Sequence, residues 1–92
     1  MTGATPKHVF TYDGATLNVY HVNKGQGLFR HQYEYSHATI CHSGSCIVCV
    51  EDKELIMTKD TQPVNLVANK WREIEALEDG TVFVNVFSEG KL

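Results

Sequence analysis

Apolar and polar residues alternate with a period of two along most of the chain, and turn-forming residues interrupt the alternation at intervals of roughly 8–12 positions. The pattern predicts strands over residues 8–11, 16–22, 28–32, 37–42, 46–51, 54–58, 64–67, 71–76 and 81–87. Between them lie Asp13-Gly14, Lys24-Gly25-Gln26-Gly27, Ser43-Gly44-Ser45, Asp52-Lys53, residues 60–63, Ala68-Asn69 and Glu78-Asp79-Gly80. Glycine, asparagine and aspartate accept the backbone angles of a tight reversal. No stretch of about eleven residues keeps a helical stripe, so no helix longer than about two turns is expected. Short strands at this spacing make an all-β sandwich or barrel.

Parity within the last predicted strand adds a second expectation. Val82, Val84 and Val86 share one face, while Phe83 and Phe87 flank Asn85 on the other. Both faces are apolar, so both need cover. If one fills a core, the other requires a second layer or a second copy of the chain. A homodimer is expected, with Phe83 or Phe87 or both buried against the partner.

Composition narrows the picture. A chain of 92 residues is expected to form one small domain over 1–92, and its 42% hydrophobic and 10% aromatic content excludes intrinsic disorder. Eight Lys and Arg against eleven Asp and Glu give a net charge of −3 with no basic block, so nucleic acid is not an expected partner. Of Cys41, Cys46 and Cys49, only the last two have a C-x-x-C spacing. The β-branched run between them places them on opposite faces of a strand, as small apolar residues and not as a redox or metal pair. That usage suits a reducing, cytoplasmic setting. Residues 1–8 contain no apolar run after a basic start, and nowhere do about 18 apolar residues stand together, so no membrane association is expected. Gly25-Gln26-Gly27 precedes a strand pattern and not a helix, which removes a phosphate-cradling loop.

The densest chemistry lies between Phe29 and Gly44, which contains His31, His37 and His42. Strand parity groups Phe29, His31, Tyr33 and Tyr35 on a core-facing side, opposite Arg30, Gln32 and Glu34. An interior His31 must be hydrogen-bonded or hold a metal, because an unsatisfied buried polar group costs about 1–3 kcal/mol. For His37 parity alone gives no answer, since Ala38 and Ile40 form the more apolar face. His42 borders a turn and reads as solvated, and His8 and His21 have no companions nearby in sequence. In the run 71–76, Arg72, Ile74 and Ala76 share one face, which turns the guanidinium inward. There it either snorkels or pairs with an acid, or it grips a ligand carboxylate or phosphate bidentately.

These residues resemble the first motif of the cupin superfamily, in which Gly, five residues, His-x-His, three or four residues, Glu, six residues and Gly follow one another. Gly25, His31, Tyr33, His37 and Gly44 keep every spacing. Tyr33 stands in place of the second histidine, and His37 in place of the glutamate. The second motif is similar to the run from Val67 to Arg72, with Arg72 where a third metal histidine is expected. The resemblance spans about residues 16–87 and implies a double-stranded β-helix, or jelly-roll barrel, with His37 facing the interior. It also implies a pocket in which His31 and His37 hold a divalent metal such as Zn, Fe, Ni or Mn, while Tyr33 and Arg72 bind a ligand. Cys41 would share the inward parity of His37, as an inert thiol. Arg72 would repel a cation, so a metal-free pocket for a small polar or anionic molecule stands beside the metal reading. The superfamily contains enzymes, sugar-binding regulators and storage proteins, and sequence assigns no catalytic residue. A non-catalytic ligand sensor and a dimerisation module therefore remain as alternatives.

Overall fold

The computed structural model describes residues 1–88. The last residues of the expected domain, 89–92, lie outside the described residues. Ten strands form two five-stranded sheets. They are β1 (Thr2–Gly3), β2 (His8–Tyr12), β3 (Ala15–Val22), β4 (Gln26–His31), β5 (His37–Ser43), β6 (Ser45–Val50), β7 (Lys53–Thr58), β8 (Val64–Leu66), β9 (Arg72–Ala76) and β10 (Thr81–Ser88). One sheet runs β1-β4-β9-β6-β7 and the other β2-β3-β10-β5-β8. All nine predicted strands are present, with ends shifted by one or two residues. The tenth, β1, pairs in parallel with β4 through Thr2 and Gly3, two residues too few to produce an alternation. No helix among the described residues is long and apolar enough to cross a membrane.

Turn chemistry carries the chain between the layers. Asp13 and Gly14, at φ 52° and 84°, close the β2–β3 hairpin in the left-handed angles that an Asp-Gly pair tolerates best. Gly44, at φ 73°, is the single residue between β5 in one sheet and β6 in the other. A Cβ there would lie 2.4 Å from Thr81 Oγ1 and 2.8 Å from Thr81 Cα, so both the angle and the space demand glycine.

Between the sheets, Val22, Met57, Leu66, Ile74 and Phe83 are among the buried apolar side chains, and Tyr20 stacks on Phe83 with ring centroids 4.7 Å apart. Cys41 and Cys46 are buried in this core as free thiols, whose pKa values burial pushes up, to about 12 for Cys46. Cys49 lies on the opposite face of β6, as the spacing predicted.

Two parity expectations fail for identifiable reasons. Phe83 and Phe87 do not await a partner: they are buried inside the barrel, and Val82, Val84 and Val86 form the outer face. Because β10 lies in the middle of its sheet, its bulkier face fills the space between the layers. On β4, a bulge between Leu28 and His31 adds one residue against β9. Leu28 opposite Ile74 and His31 opposite Arg72 therefore both face inward, although their parities differ, and Phe29 is left 58% exposed.

Candidate functional site

The inner side of the β2-containing sheet is polar near one end of the barrel. Asn18 on β3, Asn85 on β10 and Thr39 on β5 lie side by side in register. Thr39 donates its hydroxyl hydrogen to Asn85 Oδ1 at 2.7 Å, a buried bond between neighbouring strands. Next to this row, the rings of Phe87 and His37 lie 4.5 Å apart, and Tyr33 meets Phe87 edge-on at 5.4 Å. The opposite sheet contributes Leu28 and His31. Thr39 apart, these residues together with Tyr20, Phe29 and Arg30 surround an open cavity of about 360 Å³.

Three side-chain atoms of this lining are buried without a hydrogen-bond partner: Asn18 Oδ1, Tyr33 Oη and His37 Nδ1. Buried polar atoms are almost always paired, so three orphans on residues that line one cavity leave unused hydrogen-bonding capacity at this end of the barrel. A second concavity of about 350 Å³, between Val50, Lys53, Asn65, Val67 and Lys70, has no such atoms.

Protonation states follow from burial. Desolvation, followed by the nearby Arg72 charge, lowers the His37 pKa to about 4, so its imidazole is neutral at pH 7. Desolvation raises the pKa values of Tyr20 and Tyr33, which keeps both phenols protonated. His31 Nδ1 lies 2.6 Å from the Phe29 carbonyl oxygen, so that nitrogen carries the hydrogen of this bond.

His31, Tyr33 and His37 thus line one cavity. Arg72 faces inward beside His31, but it is not part of the lining. Its guanidinium is buried and donates to the backbone carbonyls of Leu66, Val67 and Lys70. The segment it clamps also holds the Tyr33 loop, through Asn69 N to Tyr33 O at 2.7 Å and Ala68 N to Ser36 Oγ at 2.9 Å. Arg72 therefore positions Tyr33, and none of these three bonds goes to a carboxylate.

A divalent metal does not fit this donor set. No group of three His, Cys, Asp or Glu side chains converges among the described residues. The lining offers two imidazoles and phenols, no carboxylate, and a buried guanidinium close behind. The His31 bond to Phe29 is the tautomer-setting contact of a metal-binding histidine, yet one such imidazole does not outweigh the charge balance.

Sequence reading missed Asn18, Tyr20 and Asn85 as site residues. The signal was present: Asn18 shares the inward parity of Thr16, Tyr20 and Val22, and Asn85 shares that of Phe83 and Phe87.

The sequence matches no family model and no curated protein. Solved structures do resemble the chain. A cupin 2 domain-containing protein from Halorhodospira halophila superposes with a TM-score of 0.80 at 16% identity, covering 95% of this chain and 65% of that one. KdgF from Halomonas sp. gives 0.82 at 14%, covering 91% and 77%. An RmlC-like cupin family protein with a double-stranded β-helix fold, from Methanocaldococcus jannaschii, gives 0.78 at 15%, covering 94% and 80%. Two facing antiparallel-rich sheets, the Gly44 crossover and these superpositions together show that the chain has the double-stranded β-helix fold of the cupin proteins.

Proposed function

We propose that the barrel binds a small polar molecule carrying a carboxylate or comparable oxyanion, and does so without a metal. The observation that carries this reading is the set of orphaned atoms on Asn18, Tyr33 and His37 around one cavity. The protonated Tyr33 phenol is a hydrogen-bond donor for an anion, and the Asn18 carboxamide accepts from a hydroxyl or amide of the same molecule. Aromatic rings of Tyr20, Phe29, Tyr33 and Phe87 give the remainder of a small ligand an apolar contact. Arg72, whose charge no bonded carboxylate balances, makes the interior electropositive and supports an anion over a cation.

Calorimetric titration tests this with acetate, benzoate, malonate and inorganic phosphate on one side and Zn²⁺ and Mn²⁺ on the other. At least one acid should bind saturably. Tyr33→Phe should weaken that binding about tenfold, the value of one hydrogen bond of roughly 1.4 kcal/mol. Stoichiometric metal binding with every acid inert would overturn the proposal.

A further inference from the structure

The outer faces of the two sheets differ in charge. On the sheet containing β9, Glu73 and Glu75 face outward, together with Cys49, Ile47, Glu54 and Ile56 in the adjoining register positions. On the β2-containing sheet, none of the outward residues of β2, β3, β5 and β10 is Asp, Glu, Lys or Arg. Register aligns them in apolar rows: Phe10 beside Leu17, Val86 and Ala38, then His8 beside Val19, Val84 and Ile40. Phe10 is 53% exposed, and no layer of the described chain covers these rows.

We infer that this face is where a second copy of the chain docks. In an isologous contact each side meets the same surface, so any charge near the axis faces its like. A face intended for its own copy must shed charge at its centre, which a face for an oppositely charged partner has no reason to do. Of the chain's eleven acidic residues, ten lie among the described residues, and none of those ten occupies an outward position on these strands. Strand spacing of about 4.8 Å and a rise of about 3.4 Å per residue give a footprint of roughly 19 by 20 Å. With side-chain relief that corresponds to about 600 Å² a side, at the lower end of specific dimers. The dimer places Val84 near its centre and leaves Phe83 and Phe87 inside each barrel.

Light scattering at tens of micromolar and near neutral pH should report twice the chain mass of 10.3 kDa. Val84→Asp should return the monomer. Because Val84 lies on a central strand, Phe10→Asp on the edge strand β2 serves as the second variant, with an expected increase of at least tenfold in the dimer dissociation constant. Ile56→Asp, on the outer face of the other sheet, should leave the dimer intact. A wild-type mass of 10.3 kDa overturns the inference. So does a dimer that survives Phe10→Asp with unchanged affinity, or one that Ile56→Asp dissociates.

Discussion

Burial of His37 ties the stability of the fold to pH. Its pKa is about 4 in the folded chain and about 6.5 when unfolded, so between these values the unfolded state binds more protons. The contribution is complete above about pH 6.5 and is lost as pH falls towards 4, a difference of roughly 3 kcal/mol. His37→Gln should flatten that slope in chemical denaturation curves recorded from pH 7 to pH 4; an unchanged slope would show that His37 is not the buried group responsible. Arg72 acts on the same cavity by a different route. Arg72→Met leaves the carbonyls of Leu66, Val67 and Lys70 without their donor, and a loss of about 2–4 kcal/mol in the same assay is expected. Because the clamped segment holds the Tyr33 loop, acid binding should weaken as well. A variant of wild-type stability and affinity would make Arg72 a bystander.

Two close approaches between elements are as demanding as any side chain. A Cβ at Gly27 would lie 1.9 Å from the Ile74 carbonyl oxygen, so a methyl group there forces β4 away from β9 and takes His31 with it. Gly44→Ala adds a left-handed angle to its clash with Thr81. Either substitution should cost more than about 2 kcal/mol, measured as a shift in the urea midpoint, and Gly44→Ala should cost more than the open turn variant Gly80→Ala. At this scale the sequence was most legible. Alternation marked nine strands, Asp13-Gly14 marked a turn, and the Gly25 to Gly44 spacing pointed to the barrel. The bulge at Leu28–His31 was not legible, because an extra residue resets parity without changing composition, and so Phe29 was expected inside.

Across the whole molecule, the cavity and the charge-free face lie on opposite sides of the same sheet. β10 contributes Asn85 and Phe87 to the first and Val84 and Val86 to the second. Sequence parity led to the expectation that both faces of this strand need cover, but not to which one faces the core, since that depends on the volume between the sheets. It placed His31 and Arg72 inward, and the spacing resemblance added His37. It did not foresee that Arg72 would be engaged by backbone carbonyls, because a contact with the β8–β9 connection leaves no periodic trace. The most direct test of the anion-pocket reading is an NMR titration of the histidine ring signals at pH 7 with benzoate and, separately, with Zn²⁺. Saturable shifts at the His37 and His31 rings with the carboxylate, and none with stoichiometric zinc, are the predicted result. Saturable zinc shifts at those rings, with benzoate inert, would contradict it.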